Sequence, residues 1–444
     1  MAGETTRRSF LKTVAAAAGA APLFLPRAAR AQAASDRLNI AFVGTGGMGG
    51  AHVNEMGDLG QACTCYCDVD SSRWGDIAKR FPDARAYQDY RKMLDDNHDK
   101  IDGVMVGTPD HHHYPATIMA MKYGLNVYTQ KPLTQTVWEA RQLTRAAAKF
   151  KVVTQMGNQG HGGEGWRIVY EWVRNGLIGD VIEVHTWTNR PIWPQGLERP
   201  QGEDPVPDNL DWDIWLGPAP KRPYKEGVYH PAKWRGWIDF GAGALGDMAC
   251  HTMDGIFWAL EPGYPIAIEP IVVNGITKEC YPNSSIVKWE FGPKYWRPAF
   301  TAYWYEGGLK PRRPQNLEPD RELPFTGNLF IGTKASLMVA GDYGDDMTTI
   351  PESLLGQVGK LKQLLPRSVG HYREWVEAIK GENVTVSDFS YAAPMTETIL
   401  LGNIAIIVGE RIEYDGPGMR ITNIPEANRL LSKAYGKGWD FGGA

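Results

Sequence analysis

Cysteine is scarce: Cys63, Cys65, Cys67, Cys250 and Cys280 are the only five in 444 residues. Their number is odd and the paired C-x-x-C spacing of zinc sites is missing, so all five are expected as small buried hydrophobes. Cys63, Cys65 and Cys67 alternate, which predicts that they point to one face of a strand. Basic charge is not in excess either, with 47 Lys and Arg against 51 Asp and Glu. That balance excludes a nucleic-acid binder. The apolar run from Val14 to Leu25 falls short of the ~20 residues that a membrane span requires, so no membrane insertion is expected. No internal repeat is visible, and no low-complexity segment beyond the N-terminal stretch.

That stretch carries its own signal. Thr6-Arg7-Arg8-Ser9-Phe10-Leu11-Lys12 reads as a twin-arginine motif, followed by alanine-rich apolar sequence and an Ala29-Arg30-Ala31 cleavage site. Residues 1–31 are therefore expected to be a signal peptide, and the protein to be exported, already folded, to the periplasm. Removing them takes away five basic side chains (Arg7, Arg8, Lys12, Arg27, Arg30) and one acid (Glu4), moving the formal net charge from -4 to -8.

The length predicts two domains, because single cores stop growing near ~250–300 residues. In the first, Leu38 to Gly49 (LNIAFVGTGGMG) joins an apolar run to Gly44, Gly46 and Gly49 in G-x-G-x-x-G spacing. Such a strand-turn-helix unit holds a dinucleotide pyrophosphate: the first glycine turns, the second admits the phosphates, and the third lets helix and strand pack closely. Gly47 and Met48 lie in the same turn. Asp68, 19 residues after Gly49, ends a second apolar run at the place of the carboxylate that holds the adenosine ribose. NAD is the expected cofactor and NADP the lesser one, with Arg73 as a residue that could receive a 2′-phosphate.

Strands and helices alternate from Ser35 to about Gln155, which predicts a doubly wound parallel sheet, with the domain bounded at 32–155. The strand Gly103 to Val106 runs into Thr108-Pro109-Asp110-His111-His112-His113, and another ends in Gln130-Lys131-Pro132. Ligands bind at that carboxyl edge, which makes Thr108, Pro109 and His113 candidate cofactor contacts and Lys131 a candidate site residue. Three consecutive histidines cannot all converge on one metal, so no metal is expected. Residues 156–444 alternate in the manner of antiparallel strands at Ile182 to Thr188, Ile286 to Phe291 and Phe300 to Tyr305, with a late helix near Tyr391 to Val408. An open antiparallel sheet domain that binds substrate is expected there.

The second informative stretch is Asp239 to His251, where a glycine-rich turn precedes a helix carrying Asp247 and His251 at i, i+4. That spacing puts both on one helix face, as a surface contact or as a dyad in which a carboxylate orients an imidazole. Sixteen Trp and nineteen Tyr suit a protein that stacks on sugar rings, although most serve the core. Arg190, Trp193, Tyr229, Trp234 and Arg235 are loop residues suited to sugar hydroxyls and faces, and Asn158 is either a cofactor contact or a polar turn.

Taken in this order, the glycine motif, the strand-end Lys-Pro and the Asp-x-x-x-His helix resemble the Gfo/Idh/MocA oxidoreductases, the glucose-fructose oxidoreductase and inositol dehydrogenase superfamily. The twin-arginine leader, the Thr-Pro-Asp-His loop and Trp215-Leu216-Gly217-Pro218-Ala219-Pro220 resemble its exported branch. The resemblance implies a Rossmann domain followed by an open sheet domain, with Lys131 stabilising an alkoxide, His251 as base and Asp247 as its orienter. It also implies association through the sheet face into a homo-oligomer. Gln130 departs from it, standing where the family commonly has glutamate. The expected function is oxidation of a sugar or glycoside hydroxyl by NAD. The alternatives are an NAD-dependent glycosidase working through transient oxidation and elimination, and a non-catalytic sugar-binding protein.

Overall fold

The computed structural model describes residues 37–444 apart from 358 and 360; the twin-arginine segment lies outside the described residues. Residues 37–444 form one compact unit built on two sheets. The first half alternates β1 (Ile40–Val43), α1 (Met48–Asp58), β2 (Cys65–Cys67), α2 (Trp74–Arg80), β3 (Arg85–Tyr87), α3 (Tyr90–Asn97), β4 (Gly103–Val106), α4 (His113–Lys122), β5 (Asn126–Gln130), α5 (Val137–Phe150) and β6 (Thr154–Gly157). β1 and β4 are buried at every residue, as parallel strands covered on both faces must be. A capping box starts α5: the Thr136 hydroxyl accepts from the Glu139 amide at 3.3 Å, and the Glu139 carboxylate accepts from the Thr136 amide at 2.9 Å.

These six strands are all parallel, in the order β3-β2-β1-β4-β5-β6. The order reverses between β1 and β4, so the loops leaving those two strands diverge and open a crevice at the carboxyl edge. The expected doubly wound sheet is present, and its glycine turn and its Thr108 loop are the two lips of that crevice.

The second half continues through α6 (Gly165–Arg174), β7 (Val181–Trp187), α7 (Trp212–Leu216), α8 (Gly243–Thr252), α9 (Asp254–Leu260), β8 (Ala267–Asn274), β9 (Ser284–Phe291), β10 (Phe300–Tyr305), β11 (Gly327–Gly332), β12 (Ser336–Ala340) and β13 (Asp346–Ile350). It closes with α10 (His371–Lys380), α11 (Phe389–Val408), β14 (Ile412–Asp415) and β15 (Arg420–Ile421). Nine strands make one sheet, in the order β13-β12-β11-β7-β10-β9-β8-β14-β15. It is mostly antiparallel, with one departure from expectation: β10 pairs parallel to β7, Thr301 facing Glu183 and Tyr305 facing Trp187. Alternation in sequence reports which face a residue takes and says nothing about strand direction, which here is free because no tight turn joins the two.

The C-terminal stretch returns to the first sheet. From α10, Trp375, Val376 and Ile379 pack with Phe42, Met105 and Tyr128 on one face of the parallel sheet. α11 is long and apolar enough to span a bilayer by composition, and 78% of its apolar window is buried inside this chain, against α5, α8, β8 and β9. All five cysteines are free and buried. Cys65 and Cys67 share one core cluster, whereas Cys63 joins the cluster on the opposite face with Phe42 and Tyr66. The single face expected for the three fails because β2 begins only at Cys65 and the chain is irregular before it.

Candidate active site

The glycine turn works through its backbone. Gly44 adopts a φ of +84°, and a Cβ there would come within 2.8 Å of the Gly107 carbonyl on the opposite lip. A Cβ on Gly49 would stand 2.0 Å from the Gly44 oxygen, so this position is reserved for helix-to-strand packing rather than for the crevice wall. α1 opens with no side-chain cap and no acid in its first turn; the Gly49 amide turns back to the Gly46 carbonyl at 2.9 Å, and the Met48 and Gly50 amides are left to an anion. Around this turn lies a cleft of about 360 Å³ lined by Gly44, Gly46, Gly47, Met48, Asp68, Thr108 and Pro109, and farther along by Lys131, Trp234, Arg235 and Asp247. The Thr108 hydroxyl is buried there without a hydrogen-bond partner. A dinucleotide fits these residues: anion-seeking amides at one place, an unpartnered hydroxyl at another, and the Asp68 carboxylate at the end of β2.

Asp68 accepts from the Thr45 amide at 2.8 Å and from the Asp70 amide at 3.0 Å, which fixes its orientation, while burial pushes its carboxyl up from the usual range. Its neighbour Asp70 turns away to His230 at 2.8 Å and Asn209 at 2.6 Å. Arg73 lies 3.5 Å from Asp70 and alongside Gly46, on the rim of the same cleft.

A second cavity of about 480 Å³ adjoins the first and is lined by Arg190, Trp193, His251, Asp342 and Tyr343 among others. The two share Met48, Gln130, Lys131, Ala232, Arg235 and Asp247, so they meet at the end of β5 and the first turns of α8. There the Lys131 ammonium donates to the Asp247 carboxylate at 2.7 Å and to the Asp247 carbonyl at 2.9 Å, and Arg235 donates to the same carboxylate oxygen at 3.1 Å. Burial alone would raise Asp247; the two cations overcome it and hold the carboxyl down at about 2.

This geometry changes the role expected for Asp247. It does not orient His251, because its carboxylate is committed to Lys131 and Arg235, and the His251 Nδ1 is buried with no partner at all. α8 is buried along its whole length, so the i, i+4 pair is no surface contact either. Burial and the Lys131 charge press His251 down to about 3, which keeps the imidazole neutral.

Four other expected contacts lie outside both cavities. His113 is buried, its ring nitrogens 2.7 Å from the Pro132 carbonyl and 2.9 Å from the Thr108 carbonyl, so it ties the two strand-end loops together from behind. Asn158 is buried between Asp254 and Ser387 and is structural. Tyr229 packs into an aromatic cluster with Trp212, Trp237 and Phe240. Gly49 serves packing, as described above. The other two histidines of the run also spend ring nitrogens on protein: His111 and His112 each place Nε2 2.9 Å from the Trp215 carbonyl.

Several residues of this site were not singled out by the sequence. Asp110, in the loop between Pro109 and His111, is 3% exposed and lines the cleft beside Lys131 and Asp247. Burial, and then the Asp247 charge, push its carboxyl up to about 8 in spite of Arg235 and Lys131. The signal was present, an acid at a strand's carboxyl end, but nothing in the sequence says that it lacks an ion-pair partner. Tyr343 and Asp342 come from the β12–β13 turn and had no signal near them.

A dinucleotide crevice meets a polar and aromatic cavity at one lysine, in a Rossmann-type domain with an appended sheet domain. Residues 38–158 match the family described as "Oxidoreductase family, NAD-binding Rossmann fold", and 170–274 match "Oxidoreductase family, C-terminal alpha/beta domain". The chain belongs to the Gfo/Idh/MocA family, and its Rossmann domain is of the NAD-binding kind. An inositol 2-dehydrogenase of Rubrobacter xylanophilus is 27% identical over 156 residues, 34% of this chain and 44% of that protein. An alpha-N-acetylgalactosaminidase of Shewanella oneidensis is 28% identical over 155 residues, 33% of each chain. The chain thus spans less than half the length of these curated relatives. Among solved structures, the WlbA dehydrogenase of Chromobacterium violaceum, in complex with NADH and UDP-GlcNAcA, superposes with a TM-score of 0.62 at 18% identity, covering 86% of this chain and 97% of that one. A levoglucosan dehydrogenase in complex with NADH and levoglucosan gives 0.57 at 16% identity, covering 85% and 99%. These likenesses concern the fold.

Proposed function

We propose that the protein is an NAD-dependent oxidoreductase that oxidises a hydroxyl of a sugar or glycoside. The observation that carries this reading is the position of Lys131, held by Asp247 where the nucleotide cleft opens into the aromatic cavity. Bound NAD supplies the hydride acceptor. The chain's own residues supply the rest: the Lys131 ammonium stabilises negative charge growing on the substrate oxygen, and the neutral His251 imidazole, its Nδ1 unpartnered, accepts the hydroxyl proton. Asp247 and Arg235 hold Lys131 in place, so Asp247 positions the lysine. Trp193 and Tyr343 offer ring faces to a sugar, whereas Trp234 is packed in the aromatic cluster of Tyr229 with the Arg235 guanidinium 4.4 Å over its ring.

The second reading is a glycosidase that uses the same transient oxidation. The relatives named as glycosidases favour it, as does Gln130, which puts an amide in place of the family's common glutamate next to Lys131 in the chain. The twin-arginine motif supports export of the folded, cofactor-loaded protein to the periplasm. Incubation of the purified protein with a panel of glycosides, following reduced cofactor and released aglycone together, separates the readings. NADH with intact glycoside marks a dehydrogenase, aglycone without net NADH marks a glycosidase, and neither product refutes both.

A further inference from the structure

The second cavity is basic in an acidic protein. Its wall carries Lys131, Arg190, Lys233 and Arg235 against two carboxylates, Asp247 and Asp342, while the whole chain has a net charge of -4. Asp247 is already shared by Lys131 and Arg235. Among the described residues neither Arg190 nor Lys233 has a carboxylate within ion-pair distance, and the guanidinium of Arg190 donates only to the neutral Asn189 amide oxygen. Two further atoms of the wall are buried without a partner, His251 Nδ1 on a side chain 4% exposed and Asp342 Oδ1.

A neutral sugar would answer the last two atoms, with a hydroxyl for each, and leave the cationic side unanswered. An anionic group on the sugar answers both. We infer that the substrate is an acidic sugar, whose carboxylate or phosphate is received by Arg190 with Lys233 at the rim, while its reacting hydroxyl lies between Lys131 and His251. Arg190 can offer two parallel N–H groups to such an anion, and Lys233, being exposed, acts at longer range as a point charge. The Trp193 ring is fixed by its N–H donating to Gln195 at 3.0 Å and leaves a face for the ring of the sugar. Asp342 accepts one of the remaining hydroxyls. This assignment names the substrate class for the oxidoreductase reading and rests on it for the identity of the reacting group.

The test uses the full NAD-loaded protein and reads tryptophan fluorescence as paired probes are titrated in: glucuronate against glucose, galacturonate against galactose, and glucose 6-phosphate as the phosphate arm. At least one acidic member binds about tenfold tighter than its neutral partner at low salt, and the gap narrows as salt rises. Whether the uronates or the phosphate show the gap identifies the anion. Arg190→Gln brings the ratio of the two dissociation constants toward one, Arg190→Lys retains part of it, and Lys233→Gln reduces it less; circular dichroism confirms that each variant is folded. Equal affinities, or tighter binding of the neutral sugars, overturn the inference. Tight binding of an acidic sugar with neither NADH nor aglycone formed upholds the inference and defeats the oxidoreductase reading. NADH from a neutral sugar, with no preference for the acid, does the reverse.

Discussion

The nucleotide cleft and the cavity beside it are built in different ways. Most of the cleft comes from consecutive stretches at the ends of β1, β2, β4 and β5, and its central features are backbone features: the +84° φ of Gly44, the Gly44–Gly49 approach, the uncapped start of α1. The cavity is built from side chains drawn from residues near 131, 190, 235, 247 and 343, brought together by the second sheet and α8. A backbone site tolerates sequence change outside its glycines and holds one kind of cofactor. A side-chain site changes its ligand with a few substitutions, so the specific chemistry of this protein resides in the cavity.

Variants on the two sides of Lys131 test that division, and the largest effect is expected in the cavity. His251→Ala is expected to lower turnover by the ~10²- to 10⁴-fold typical of a lost general base, with NAD affinity measured by fluorescence titration little changed. Wild-type turnover would move the base elsewhere; a matching loss of NAD affinity would erase the distinction between the two regions. Asp247→Asn comes next, because it leaves Lys131 and Arg235 without their shared carboxylate. A drop of roughly ten- to a hundredfold in kcat with a smaller change in KM is expected, since the lysine is mispositioned rather than removed. An unchanged kcat would show that Lys131 needs no such anchor.

On the other side of the divide, Asp68→Ala is expected to weaken NAD by about tenfold, in line with the ~1.5 kcal/mol or more of hydrogen bonds to a charged group. NADP, whose 2′-phosphate the carboxylate repels, loses less, and kcat at saturating NAD stays near that of the parent. Tighter binding of NADP than NAD by the parent would make Arg73 the dominant residue instead.

The smallest effect concerns Asp110, at the boundary, and is read in stability. The folded protein keeps the Asp110 proton up to about 8, whereas the unfolded chain releases it near ~4, so the native state binds one proton more across that window. Stability therefore falls as pH rises through it. The neutral histidines act oppositely, His251 from about 3 and His113 from about 4 up to their ordinary value of 6.5, and Glu306, raised to about 7, acts in the same sense as Asp110 below that pH. Between pH 7 and 8 the Asp110 proton dominates. Asp110→Asn should flatten the fall of the melting temperature there, so that the variant gains on the parent as pH rises; parallel curves would mean that Asp110 is already ionised.

Much of the cleft was legible because its rules are local. A glycine that must adopt positive φ, an apolar run ending in an acid, and a proline after a strand-end lysine act over a few residues, so Gly44, Asp68 and Lys131 were found in place. Even there His113 was misjudged, since which side of a loop a ring takes depends on what packs behind it, here the Pro132 carbonyl. The cavity was legible in its membership but not in its pairing. Asp247 and His251 stand one helical turn apart and suggested each other, yet Lys131, 116 residues away in the chain, has the shorter route to that carboxylate. Tyr229 had every mark of a sugar-stacking loop residue and is instead core, because Trp212, Trp237 and Phe240 close over it.

Taken alone, the amino-acid sequence determined the parallel sheet, the glycine turn and the kinds of residue available for chemistry, because periodicity and backbone sterics are properties of short segments. Only the tertiary structure decided the parallel pairing of β10 with β7, the commitment of Asp247 to Lys131 and Arg235, the lack of an ion-pair partner for Asp110 among the described residues, and the isolation of the His251 Nδ1. Each of these is a choice among distant groups, and the geometry of packing makes it: a buried charge takes the counter-charge that the fold brings closest, whatever stands next to it in the chain.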